Sequence, residues 1–158
     1  MTEPRGDLFA GDFDRGSIVA VRRAIERHSE RAGLTDPELH RFVVAVNEIV
    51  TNAVRHGGGS GRVRLWLEGA RLHCRVTDSG AGIPPERRRA TARPAPDTVG
   101  GWGLWLARQG CDALTVDAGA GEGGAGEGGG TTGSVVTLVR SVGRPLVADA
   151  ARPAAPAG

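Results

Sequence analysis

The sequence contains no lysine and no tyrosine, and aromatic residues make up only 4% of its 158 residues. A phosphate-binding P-loop requires a lysine, so that motif is excluded. Nucleic-acid-binding modules usually cluster basic charge and interleave aromatic side chains for stacking. With a formal net charge of only +2, the composition argues against direct binding of nucleic acid.

Long apolar runs are also missing. No run approaches the roughly 18 residues that cross a bilayer. The N-terminus MTEPRGDLFAGDF lacks the basic and apolar regions of a signal peptide. We therefore expect a cytoplasmic protein without a membrane segment.

Cysteine is scarce as well, with Cys74 and Cys111 far apart in the sequence. Each lies among apolar neighbours, and isolated cysteines in such surroundings behave as small buried hydrophobes. The sequence predicts two buried free thiols rather than a disulfide or a metal pair.

The length favours one compact domain with a tail. The domain is predicted over 17–141. Segment 1–16 precedes it, with an edge strand expected around Leu8–Phe13. An Ala/Pro/Gly-rich tail over 142–158 is predicted to be disordered. Within the domain, the low-complexity glycine repeat at 119–132 is predicted to be a disordered surface loop. Its glycines match the spacing of a dinucleotide-binding fingerprint, but no helical pattern follows them, so that motif is rejected.

Hydrophobic periodicity predicts the secondary structure. Two amphipathic helices are expected first, the second capped near Thr35 or Asp36, and a β-hairpin follows. The segment 84–99 has little apolar pattern and is predicted to be a mobile loop. The predicted elements are helix 17–31 ending at Gly33, helix 35–56, strands 63–67 and 72–76, helix 102–110, and strands 114–117 and 134–140.

Three polar residues, Glu48, Asn52 and His56, are spaced by four on the second helix. This spacing places them along one slowly drifting line of the helix surface. Taken alone, the line is more typical of a solvent-exposed helix face than of a binding site, because polar residues are mostly exposed. Its meaning depends on the segments that follow.

Two glycine-containing segments supply that context. DSGAGIP places Asp78 before Gly80 and Gly82, in a loop whose backbone can approach a ligand closely. GGWGLWLARQ then places three glycines, at 100, 101 and 103, at the start of a helix. Unpaired amides and the helix dipole at such a start favour an anion, for which phosphates are the obvious candidates.

The segments NEIVTNAVRH, DSGAGIP, GGWGLWLARQ and GSVVTL resemble, in order and spacing, the four sequence boxes of GHKL-type ATPases. The resemblance covers about Phe9 to Arg140. That superfamily includes gyrase, heat-shock chaperones, histidine kinases and anti-sigma factor serine kinases. It implies an α/β, Bergerat-type fold: a two-layer sandwich with helices on one face of a mixed, mostly antiparallel sheet.

The resemblance also implies ATP and Mg²⁺ as cofactors. Asn52 is similar to the asparagine that holds Mg²⁺. Glu48 is similar to the catalytic base, with a water-bridged, non-catalytic role as the alternative. Asp78 is similar to the aspartate that accepts a hydrogen bond from the adenine amino group. Ser134 replaces the threonine of the family, and His56 is equally well explained as a partner of the helix dipole. The implied nucleotide-binding residues are Asn52, His56, Asp78, Gly80, Gly82, Ile83, Gly100, Gly101, Gly103, Leu104 and Ser134.

Segment 84–99 corresponds to the ATP lid of the family. It contains four arginines, and one of them could approach the γ-phosphate. A solvated run of charge is an equally good interpretation. The four are Arg87, Arg88, Arg89 and Arg93.

Within the superfamily, the short lid, the chain length and the order of elements most resemble the anti-sigma factor serine kinases. This implies a protein serine/threonine kinase whose partners are a sigma factor, or a small antagonist protein with a phosphorylatable serine, or both. A homodimer is also implied as an assembly state. A histidine kinase would need a helical dimerisation segment, for which the residues before Ser17 are too few. An ATP-binding regulatory module without phosphotransfer and a slow ATPase stay open.

Overall fold

The computed structural model describes residues 6–56, 58–80, 102–118 and 133–143. Across these residues the chain forms three helices and five strands, close to the predicted positions. In chain order they are β1 (Phe9–Asp14), α1 (Ile18–Ala32), α2 (Glu38–His56), β2 (Ser60–Glu68), β3 (Arg71–Asp78), α3 (Trp102–Gln109), β4 (Ala113–Ala118) and β5 (Ser134–Ser141).

The two long helices begin and end where local chemistry allows. Helix α1 ends at Gly33, whose φ of 117° lies in the left-handed region that glycine adopts without strain. Helix α2 begins at Glu38, after the predicted cap residues, and the Thr35 carbonyl accepts the Leu39 N–H at 2.9 Å. None of the described helices is long and apolar enough to cross a membrane.

The strands form one open sheet in the order β1-β2-β3-β5-β4. Every pairing among the described strands is antiparallel, so the predicted parallel component of a mixed sheet is not seen there. Strands β2 and β3 form the expected hairpin, with Leu65 opposite Cys74 and Gly69 at positive φ in the turn. Strand β1 lies at one edge, paired with β2. The predicted two-layer architecture is confirmed.

The core lies between α2 and the inner face of the sheet. The apolar stripe predicted on α2 is buried, and Phe42 at its centre is 0% exposed. Inner residues of three central strands complete the layer. Both cysteines are buried free thiols, as predicted. Burial raises the pKa of Cys111 to about 11 and that of Cys74 further still, so both stay protonated.

Small residues let α3 approach α2 closely. A Cβ atom at Gly110 would overlap the Arg41 carbonyl oxygen and the Ala45 side chain. One turn earlier, Ala107 is completely buried. Seven residues before Gly110, about two full turns, Gly103 faces α2 again. The glycine spacing therefore fixes where the first turn of α3 lies against α2.

The outer face of the sheet carries a cluster around Trp66. The His73 ring stacks on the Trp66 ring with centroids 5.2 Å apart, and the guanidinium groups of Arg64 and Arg75 lie 5.4 and 5.3 Å from the Trp66 centroid. Burial, with a smaller contribution from neighbouring arginine charges, lowers the pKa of His73, although Glu68 opposes the shift. Burial therefore favours the neutral form of His73.

Candidate functional site

The polar line on α2 meets the first turn of α3. Glu48 and Asn52 lie one turn apart on α2, and both are half-buried. An ideal Cβ placed on Gly103 would lie 2.9 Å from Asn52 Nδ2 and 3.1 Å from Glu48 Oε2. Two segments that are about fifty residues apart in the sequence thus form one site. Only a residue without a side chain fits at Gly103 while both polar groups keep these positions.

The polar groups of Glu48 and Asn52 are available to a ligand. Neither side chain makes a hydrogen bond or ion pair in the described part of the chain. The Glu48 carboxylate and the Asn52 amide oxygen are hard oxygen donors of the kind that Mg²⁺ prefers. They stand beside the start of a helix, where phosphate groups bind well.

Asp78 is held in one orientation at the end of β3. Its Oδ1 atom accepts hydrogen bonds from the Gly80 N–H at 3.0 Å and the Ser134 N–H at 3.3 Å. Its Oδ2 atom accepts the Ser134 hydroxyl at 2.5 Å. Ser134 itself is 3% exposed, at the start of β5. These bonds join two strand ends and fix the direction in which the carboxylate faces.

Two glycines that were not predicted as site residues shape this corner. A Cβ atom at Gly133 would overlap the Asp78 carbonyl group, so β5 approaches β3 closely only with glycine there. Gly58 has a φ of +88°, and its ideal Cβ lies 3.7 Å from the Ser79 hydroxyl and from the Gly80 amide nitrogen. Gly58 therefore brings the end of α2 beside the Asp78 loop.

A sequence signal existed for both glycines, but it was weak. Gly133 directly precedes Ser134 in GSVVTL, at the end of a long glycine-rich repeat, and Gly58 lies within a run of three glycines. In such glycine-rich segments, the sequence does not distinguish a glycine that packing requires from its neighbours.

The other predicted site residues divide into two groups. His56 is exposed at the last position of α2, and Leu104 is 6% exposed and belongs to the core. The lid 84–99 and the repeat 119–132 lie outside the described residues. So do several individual predictions: Gly82, Ile83, Gly100, Gly101, Arg87, Arg88, Arg89 and Arg93.

The site fits a nucleotide with Mg²⁺ better than it fits a metal held by protein alone. Among the described residues, no group of three or more His, Cys, Asp or Glu could hold a metal ion. Mg²⁺ in nucleotide sites commonly uses one or two protein ligands together with phosphates and water. Asn52 and Glu48 supply that number of oxygen donors. The missing side chain at Gly103 lets the polar ends of both side chains lie against the first turn of α3.

Comparison with known families agrees with this geometry. Residues 13–128 match the model of the histidine kinase-like ATPase domain. The match spans well over half of the chain, and the protein belongs to this family of ATP-binding domains. Its strands, helices and candidate site therefore form a GHKL-type nucleotide-binding domain.

Solved structures share the fold. The mycobacterial sensor histidine kinase MprB superposes with a TM-score of 0.53 at 22% identity, covering 84% of this chain and 97% of that one. The catalytic domain of histidine kinase ThkA superposes with a TM-score of 0.50 at 14% identity, again covering 84% and 97%. At these identities the likeness establishes the fold alone.

Proposed function

We propose that this protein is an ATP-dependent serine/threonine kinase of the anti-sigma factor type. In this role it binds a sigma factor and phosphorylates a serine of a small antagonist protein. One observation carries the catalytic half of the proposal: the first turn of α3 lies directly against Glu48 and Asn52 at Gly103. A carboxylate, an amide oxygen and a helix start then face one position, which suits the terminal phosphates of ATP.

Each side chain has a distinct role in this proposal. Asn52 would hold Mg²⁺ through its amide oxygen, and a bound ion would supply positive charge beside the phosphates. Glu48 accepts the proton of the attacking hydroxyl. The hydroxyl oxygen forms a bond to the γ-phosphorus as the bond to the β-phosphate oxygen breaks, and ADP leaves with those electrons. Glu48 lies one turn from Asn52, so both groups act on the same end of the nucleotide.

Asp78 gives the proposed base selectivity. Its carboxylate is already oriented by three donors, and it can accept a hydrogen bond from the adenine amino group. Guanine presents a carbonyl oxygen at that position, so an acceptor would face an acceptor. The site should therefore prefer ATP to GTP.

The regulatory half of the proposal rests on the short lid, the chain length and the order of elements, which resemble those of the anti-sigma factor serine kinases. Partner switching then follows if the nucleotide-bound state binds the sigma factor and phosphorylation releases the antagonist. Both partners are proteins, and no contact with nucleic acid is needed.

The test uses labelled ATP with the full chain, alone and with candidate antagonist proteins. Label on a serine of the antagonist supports the kinase. Phosphate release without a partner supports a slow ATPase, and tight binding without either supports a regulatory module. Glu48→Gln should reduce transfer at least a hundredfold while leaving ATP affinity within about threefold, since general bases contribute roughly 10²–10⁴-fold. Glu38→Gln, which changes an acid on the same helix far from the site, is the control; unchanged transfer by Glu48→Gln would refute the base assignment.

A further inference from the structure

We propose that the acceptor protein docks on the outward side of the α2–α3 pair, beside Glu48, through a segment that is both apolar and acidic. We name this surface the seam patch and define it by Arg41, Val44, Arg55 and Leu106. The inference rests on the proposed function, because it supplies the surface that would deliver the acceptor hydroxyl to Glu48.

The first observation is the exposure of large apolar side chains. In the described part of the chain only four are exposed: Leu8 at 37%, Val19 at 57%, Val44 at 37% and Leu106 at 40%. Val44 is on α2 and Leu106 is on α3. Exposed apolar side chains that gather at one place more often mark an interaction site than scattered ones do.

Helix geometry places these two side chains near each other. Gly103 faces Glu48 and Asn52, whereas Gly110 faces Arg41 and Ala45. The two helices therefore run antiparallel, and Leu106 lies along α3 between those two contacts.

The exposed flanks of both helices are on the same side. Ala45 and Ala107 are completely buried, whereas the adjacent Val44 and Leu106 are exposed. Each exposed residue thus lies on the flank of its helix that faces away from the sheet. Val44 also precedes Glu48 by four residues, so the two share one line of the α2 surface. The apolar part of the seam patch is about one helical turn from the proposed base.

The second observation is charge. Arg41 and Arg55 lie seven residues before and after Glu48, so they are on the same line of α2. Both are exposed, and neither forms an ion pair with another described residue. The seam patch therefore combines two apolar side chains with two arginines that form no ion pair within the described ranges. The complementary surface has an apolar side chain and carboxylates near the acceptor hydroxyl.

The same charges argue against a second copy of this chain as the occupant. A two-fold symmetric contact would place the patch against itself. Arg41 and Arg55 of one copy would then face the arginines of the other. Like charges brought together without partners oppose association, so an acidic heterologous partner fits better.

The experiment measures peptide binding by fluorescence anisotropy with the full chain. The probe is a labelled short peptide with a central serine flanked by leucine and glutamate, which we call the acidic peptide. The control is the lysine peptide, which has lysine in place of glutamate. Val44→Glu and Leu106→Glu each replace an apolar contact with a negative charge, which repels the acidic peptide. We expect each variant to bind that peptide at least tenfold more weakly. Val19→Glu makes the same change at an exposed position on α1 and should bind as the unmodified chain does. All variants should keep their ATP affinity, because none touches the nucleotide site.

The docking proposal is overturned by any of three results. The first is that the acidic peptide binds no more tightly than the lysine peptide. The second is that Val44→Glu and Leu106→Glu bind the acidic peptide normally. The third is that Val19→Glu weakens its binding as much as those two variants do. Transfer of label to the bound peptide is scored separately. If the peptide binds but is not phosphorylated, the docking surface is supported and the kinase proposal is contradicted. If Val44→Glu and Leu106→Glu leave phosphorylation of the peptide unchanged, the kinase proposal is supported and the docking surface is refuted.

Discussion

Adding one methyl group at Gly103, in the first turn of α3, or at Gly110, directly after its last turn, should have different effects, and this pair tests how the site is built. Gly103→Ala places a Cβ 2.9 Å from Asn52 Nδ2 and 3.1 Å from Glu48 Oε2. Both contacts are with the ends of flexible side chains, which can move aside. Alanine is also better than glycine within a helix by roughly 0.5–1 kcal/mol. The fold should therefore keep its stability while both site groups are displaced.

The expected binding loss follows from the groups that move. A hydrogen bond to a charged group contributes about 1.5–3 kcal/mol. Displacing Asn52 from Mg²⁺ should cost about one such interaction. ATP affinity should then fall by roughly ten- to a hundredfold, since 1.4 kcal/mol corresponds to a factor of ten. Isothermal titration calorimetry with Mg·ATP measures the loss.

Gly110→Ala, directly after α3, is the matched variant. Its Cβ would overlap the Arg41 carbonyl oxygen, and a backbone atom of α2 cannot move aside without separating the helices. Overpacking of this kind costs about 1–3 kcal/mol, visible as a lower thermal midpoint by circular dichroism. The reasoning is refuted if Gly103→Ala binds ATP normally, or if Gly110→Ala is as stable as the unmodified protein.

Three further perturbations test other parts of the structure. Asp78→Asn keeps one oxygen for the two backbone donors and can donate to the Ser134 hydroxyl, so stability should change little while the preference for ATP over GTP falls at least tenfold in competition binding. Phe42→Ala should lower the free energy of unfolding by about 3–5 kcal/mol in urea titrations, because the ring is fully buried; a loss below about 1 kcal/mol would contradict the packing. The pKa of His73 is lowered in the folded state, so the unfolded chain binds a proton at this residue more readily. The resulting contribution to stability is present above about pH 6.5 and is lost as the pH falls toward the pKa of His73 in the folded state. His73→Gln should show a smaller loss of stability between pH 7 and pH 5, and an identical pH profile would refute this account.

The secondary structure could be predicted from the sequence because each element has strong periodicity. Helix α2 illustrates this, since the sequence alone predicts both its apolar stripe and its polar line. What could not be predicted is the approach of segments that are distant in the sequence. No local pattern shows that Gly133 lies against the Asp78 carbonyl, or that Gly110 lies against the Arg41 carbonyl. Such contacts depend on how the sheet and helices pack, which one sequence does not display.

The attachment of Asp78 has a consequence for how this site tolerates change during evolution. Two of its three hydrogen bonds come from main-chain N–H groups, at Gly80 and Ser134. Those donors persist whatever side chain occupies either position, unless that residue is proline, which has no N–H. A different side chain at either position would therefore leave these two hydrogen bonds in place. The orientation of the Asp78 carboxylate therefore depends on the path of the backbone more than on the identity of the neighbouring side chains.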